Sequence, residues 1–166
     1  SVSLNFSAYD INSQKMQQLI FEQLEKAAHP EHFILEILED EPFRDVETLR
    51  CFIHKIRQYG VQIAIDDFGS GYSSLNALKD LPVDVVKLDR VFFDQSSHVE
   101  RNKTILKSMI TMAKQLDMKV VAEGIEYTQQ LDMLKDTGCD MVQGFIYAKP
   151  CSVEDFYQRL EAEAAS

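Results

Sequence analysis

The sequence predicts an α/β fold, a TIM-like (β/α) barrel that is incomplete, with about six strand–helix units and the first two of a full barrel missing. Three observations lead there. Six short apolar runs alternate with helical stripes, most of the runs are apolar at consecutive positions as in parallel strands covered on both faces, and polar residues fall in or just past the end of each run. In a (β/α) barrel the carboxyl ends of the strands converge on one mouth, which carries the chemistry. A doubly wound open sheet would draw functional residues from only a few strands, at one switch point. A complete barrel takes eight strands and about 250 residues. The 166 residues begin without methionine in the strand-like SVSLNFS, so the expectation is one domain, residues 1–166, forming the C-terminal portion of a longer barrel.

Taken in order, the first run is SLNF, with Asn5 inside it, followed by Met16, Leu19, Ile20 and Leu24 at helical spacing. HFILEI encloses Glu36 and precedes the stripe Val46, Leu49, Phe52, Ile53 and Ile56. VQIAI runs into Asp66 and Asp67, and VDVVKL carries Lys87 ahead of a third stripe from Ile105 to Leu116. KVVAE ends on Glu123, and Thr128 opens a shorter helix. DMVQGF contains Gln143, and Val153, Phe156 and Leu160 mark the last helix. Pro30, Pro42, Pro82 and Pro150 fall in the connections, where a missing N–H does least damage.

A net charge of -10 argues against binding a nucleic acid polymer, which needs a basic surface. An anionic ligand would need metal ions or a few placed cations. Cys51, Cys139 and Cys151 are odd in number and form no CxxC pair, which speaks against a disulfide framework or zinc knuckle and fits a reducing cytoplasm. The apolar runs fall far short of the roughly 20 residues needed to cross a bilayer.

Two adjacent carboxylates repel unless a proton, a cationic side chain or a metal ion sits between them. Asp66 and Asp67 therefore point either to a helix cap by one of them or to a pair bracketing two hard cations. Glu36, inside FILEI, would be expensive to bury unpaired, as would Glu123 after KVVA. A salt bridge to a core cation is the structural alternative for each, and for Asn5 it is a hydrogen bond to neighbouring backbone. One ligand site would explain all of them together. Oxygen donors without nearby His or Cys select Mg or Mn. Lys87 shares a strand face with Val85 and Asp89, so it could pair with Asp89 or stabilise charge building on a phosphoryl oxygen. Gln143 could orient water or be a satisfied core amide. The loop GSGYSSL, from Gly69, Ser70 and Gly71 onward, has the flexibility of a lid or phosphate-approach loop, and Glu39 could brace it.

These residues carry a resemblance. NFSA, LEILED, IAIDDFGSGYSSL, LPVDVVKLDR, VVAEGIE and QGFIYAKP, in this order from about Leu4 to Pro150, resemble the EAL domains, bacterial phosphodiesterases that open cyclic di-GMP to linear pGpG. The resemblance implies a TIM-like barrel with two Mg or Mn ions held by Asn5, Glu36, Asp66, Asp67 and Glu123. Lys87 would contact the attacking water, Glu126 and Gln143 would support the site, and Glu39 would hold the DFGSGYSS loop, through which a homodimer is expected. Leu38 stands where the family has threonine. The family's namesake EAL motif, with a further metal-binding glutamate, does not occur in this sequence. The 166 residues alone are therefore expected to hydrolyse cyclic di-GMP poorly. An upstream GGDEF or sensory domain would suit such a protein, as would a membrane tether on the parent chain. Two other readings remain: a receptor that binds cyclic di-GMP without cleaving it, and an enolase-like barrel with Lys87 as base.

Overall fold

Six strands lie side by side, all parallel and in chain order, in one open sheet. The structure is a computed structural model and describes residues 1–38, 46–69, 74–93 and 99–164. Its elements are β1 (Val2–Phe6), α1 (Ala8–Asn12), α2 (Gln14–Lys26), β2 (Phe33–Leu38), α3 (Val46–Arg57), β3 (Gln62–Phe68), α4 (Ser74–Asp80), β4 (Val85–Leu88), α5 (Val99–Gln115), β5 (Lys119–Ala122), α6 (Thr128–Leu134), β6 (Met141–Val142) and α7 (Val153–Ala164). Every expected strand is present. Among the described residues the strand order never reverses, so they form no switch point of the doubly wound kind.

The packing decides which face is which. Ile37, Ile65, Leu88 and Val120 of the sheet join Ile11, Leu24, Phe52, Leu78, Ile110 and Leu134, one from each of α1 to α6, in a single core. All six helices therefore cover the same face. The opposite face holds a small separate cluster of Ala64, Val85 and Val121 with Ile34 against it. A sheet with helices on one face and small apolar side chains lining the other is an arc of a (β/α) barrel.

The amino ends of alternate strands are fastened by the same device. Asp84, just before β4, accepts the N–H of Ile63 in β3 at 2.9 Å and pairs with Arg57 of α3 at 3.0 Å. Asp140, just before β6, accepts the N–H of Val120 in β5 at 2.7 Å and pairs with Lys114 of α5. The sequence shows no repeat in residue identity here, because the repeated unit is a carboxylate meeting a strand N–H and a helix-end cation.

Three local features depart from the sequence reading. α1 exists because Ser7 and Asp10 form a capping box, with the Ser7 hydroxyl accepting from Asp10 N–H and the Asp10 carboxylate accepting from Ser7 N–H. Its brevity hid it, as did the brevity of α4. The stripe on α7 forms as a helix but faces solvent, with Val153, Phe156 and Leu160 all exposed. Among the described residues no helix is long and apolar enough to cross a membrane.

Candidate functional site

Strand pleating delivers the polar residues to one side. Leu35 and Ile37, Ile63 and Ile65, Val86 and Leu88, Val120 and Ala122 face the helices. The residues alternating with them face the other way: Glu36, Asp66, Lys87 and, one residue past β5, Glu123. Asn5 of β1 is level with Glu36 and completes the row on the β1 side.

These side chains meet around Lys87. Its Nζ lies 2.6 Å from Glu36 Oε2, 2.9 Å from Asp66 Oδ1 and 2.8 Å from Glu123 Oε1. Lys87 and Glu36 are only 5% and 6% exposed, which makes this a charge cluster inside the fold. Burial opposes the charged form of Lys87, but Glu123, Glu36 and Asp66 together outweigh it and hold the ammonium well above its usual pKa. Burial dominates at Glu123 and pushes its carboxyl up to about 7 despite the neighbouring ammonium. The alternative pairing of Lys87 with Asp89 does not form, since Lys87 is taken by Glu36, Asp66 and Glu123. Asp89 lies beyond the end of β4, accepts the N–H of Val91 at 2.7 Å and sits beside Asp67.

A break in register brings Asp67 to the same site. The β3–β4 pairing shifts between Ile65 and Phe68, and Asp67 adopts a φ of 52°. A bulge of this kind lets consecutive side chains reach one side of a strand, where regular pleating would send them apart. Asp66, Asp67 and Glu123 each offer a carboxylate oxygen within 4.8 Å of the others. Burial and the charges of Asp66 and Asp89 raise the Asp67 carboxyl above its usual pKa. The Asp66 carboxylate faces Lys87 and accepts the N–H of Asp67 at 3.1 Å.

The donor set fits a hard divalent cation. Three carboxylates converge beside the Lys87 ammonium, and among the described residues no His or Cys belongs to the cluster. Glu123 Oε1 is shielded from solvent, and its neighbour there is the Lys87 ammonium at 2.8 Å.

The remaining candidates are spread around this centre. Gln143 follows β6 with an exposed side chain, while its backbone donates to Ala122 at 2.8 Å and accepts from Ile125 at 3.2 Å. Glu126 is exposed in the β5–α6 loop. Gly69, directly after β3, has a φ of 91°, and a Cβ there would lie 2.6 Å from the Phe92 ring. Glu39, Ser70 and Gly71 lie outside the described residues. The sequence reading overlooked Gln130, which binds the backbone of the β5–α6 loop. Its signature is half of a capping box, the third helical residue accepting the N-cap N–H, concealed because Tyr127 stands at the N-cap in place of Ser or Thr and its side chain caps nothing.

The family model described as EAL domain matches residues 1–150. The chain belongs to the EAL domain family. Cyclic di-GMP phosphodiesterase NbdA of Pseudomonas aeruginosa is 34% identical over 168 residues, which cover 99% of this chain and 22% of that protein. The chain thus spans about a fifth of that relative's length. The crystal structure of an EAL domain protein from Listeria monocytogenes EGD-e superposes with a TM-score of 0.88 at 29% identity, covering 98% of this chain and 65% of that one. The manganese and cyclic di-GMP complex of Klebsiella pneumoniae BlrP1 matches with a TM-score of 0.79 at 26% identity, over 90% of this chain and 38% of that one. The EAL assignment and the (β/α) arc agree.

Proposed function

We propose that this EAL domain serves a cyclic di-GMP phosphodiesterase, which opens the cyclic dinucleotide to linear pGpG by attack of water on one phosphodiester. The observation that carries this reading is the convergence of Glu36, Asp66 and Glu123 on Lys87, with Asp67 bulged into the same place. Asn5, Glu36, Asp66, Asp67 and Glu123 would hold two Mg or Mn ions. When bound, such ions supply Lewis acidity and neutralise a substrate that is itself doubly anionic.

The protein's own groups set the rest of the chemistry. In hydrolysis a bond forms from water oxygen to phosphorus and the P–O3′ bond breaks, the leaving oxygen gaining a proton. Lys87, set among the carboxylates of Glu36, Asp66 and Glu123, is placed to donate hydrogen bonds to the attacking water or to the charged phosphoryl oxygen. Glu126 and Gln143 support the site from the β5–α6 loop and the residue after β6. Asp89 steadies the turn after β4, and Glu39 would hold the DFGSGYSS loop, to which Gly69, Ser70 and Gly71 belong in sequence. The same reading places the protein in the cytoplasm, with a homodimer through the DFGSGYSS loop and a GGDEF or sensory domain upstream.

The test is hydrolysis of cyclic di-GMP by the natural full-length protein with Mn2+, with products resolved by chromatography. Wild type should yield pGpG, while Lys87→Met and Asp66→Asn should lower turnover by about a hundredfold or more. Wild-type protein that binds the nucleotide and never cleaves it would establish a receptor instead.

A further inference from the structure

We infer that Gln130 is a positioning residue, a latch that fixes the loop carrying Glu123 and Glu126 against the turn that follows Lys87. It stands at the third position of α6 and is half-buried. Both ends of its amide are engaged. Oε1 accepts from the main-chain N–H of Glu126 at 2.7 Å and of Tyr127 at 3.0 Å, and Nε2 donates to the carbonyl of Phe93 at 3.3 Å.

Phe93 is fully buried and closes the 3-10 turn Arg90–Phe93, which comes shortly after Lys87 and Asp89. That turn touches the loops on either side of it. A Cβ at Gly124 would fall 2.6 Å from Cβ of Arg90, and one at Gly69 would fall 2.6 Å from the ring of Phe92. The turn is thus wedged between the residue after β3, which follows Asp66 and Asp67, and the residue after Glu123. The side-chain carbons of Arg90 and Phe92 that approach the two glycines pack without direction, whereas the amide of Gln130 fixes distance and angle. Two loops that bring carboxylates to one centre must keep their spacing, since misplacement of about 1 Å at a reacting site can cost about a hundredfold in rate.

The two ends of the amide can be separated chemically. Gln130→Glu keeps an oxygen for the Glu126 and Tyr127 N–H groups and replaces the donor facing Phe93 with an acceptor. Gln130→Met removes both at similar length. The effect on turnover rests on the phosphodiesterase reading, and the latch itself does not.

The experiment uses the natural full-length protein and records cyclic di-GMP hydrolysis, thermal midpoint and amide hydrogen exchange. For Gln130→Glu we expect a midpoint within about 2 °C of wild type, because the local cap survives. Exchange should stay slow at Glu126 and Tyr127 and quicken across residues 90–93. Its kcat should fall about tenfold while KM stays within about twofold. Gln130→Met should quicken exchange in both segments and lower kcat at least as far. Turnover of Gln130→Glu within about twofold of wild type, or unchanged exchange across residues 90–93, overturns the positioning role. If wild-type protein does not cleave cyclic di-GMP at all, the phosphodiesterase reading fails, and the exchange data alone decide whether the latch exists.

Discussion

Asp67 is held at a φ of 52°, in the left-handed region that a residue with a Cβ enters at a cost of about 1–2 kcal/mol. It also adds a carboxylate to a crowded acidic site, where burial and neighbouring charge raise its pKa. Stability alone would select glycine here, so the aspartate is best explained by what its oxygen can hold. Asp67→Gly should make the protein more stable by about 1 kcal/mol to urea in EDTA and weaken its Mn2+ affinity by about tenfold or more. A variant less stable than wild type in EDTA would show that no strain is stored at the bulge. The sequence exposed the two aspartates as neighbours that need a cation. It did not show that Lys87 stands among the carboxylates of Glu36, Asp66 and Glu123, because that depends on three strand registers together.

Where elements meet, loop crossings and strand-end clamps set the geometry. The loop after β6 crosses the β5–α6 loop so closely that a Cβ on Gly144 would lie 2.0 Å from the backbone oxygen of Ile125. The crossing is tied by Ile125 N–H to Gln143 O at 3.2 Å and Ile146 N–H to Ile125 O at 3.0 Å. Backbone cannot move aside like a side-chain tip, so Gly144→Ala should cost about 3 kcal/mol in urea unfolding. A cost below about 1 kcal/mol would mean that the crossing is loose. At the other end of the sheet, burial raises the Asp140 carboxyl, but Lys114 and the Val120 N–H outweigh it and hold the group below its usual 3.8. A lowered folded-state pKa contributes stability above the unfolded value, and that contribution is lost as pH falls through the folded value. Asp140→Asn should therefore be less stable than wild type by about 1 kcal/mol at neutral pH, with the gap closing as the pH drops below 3.8. A gap that persists unchanged at low pH would assign the loss to packing. The strands were legible from their apolar runs, but these clamps were not, since each joins residues far apart in sequence.

At the scale of the molecule, the sheet ends in two edges. Val2 and Leu4 on β1 and Met141 on β6 are exposed, as are Phe145, Tyr147 and the apolar stripe of α7. The mouth is lined over an arc only, and the Listeria EAL domain has about a third of its chain outside the matched region. The 166 residues by themselves should therefore turn over cyclic di-GMP at least about a hundredfold more slowly than an EAL phosphodiesterase with a closed barrel. Rates from the two that agree within about tenfold would show that the arc suffices.

The sequence by itself determined the six strands, their parallel character and the polar residue on each, because apolar runs broken by single carboxylates, a lysine or an amide can be read one strand at a time. It also determined the family, through motifs spread over most of the chain. Only the tertiary structure decided that Lys87 pairs with Glu36, Asp66 and Glu123 rather than Asp89, that a bulge turns Asp67 into the same site, and that Gln130 ties two loops together. Those outcomes depend on register and on backbone meeting backbone. Neither is encoded in any local stretch, and both arise when strands distant in the chain are laid side by side.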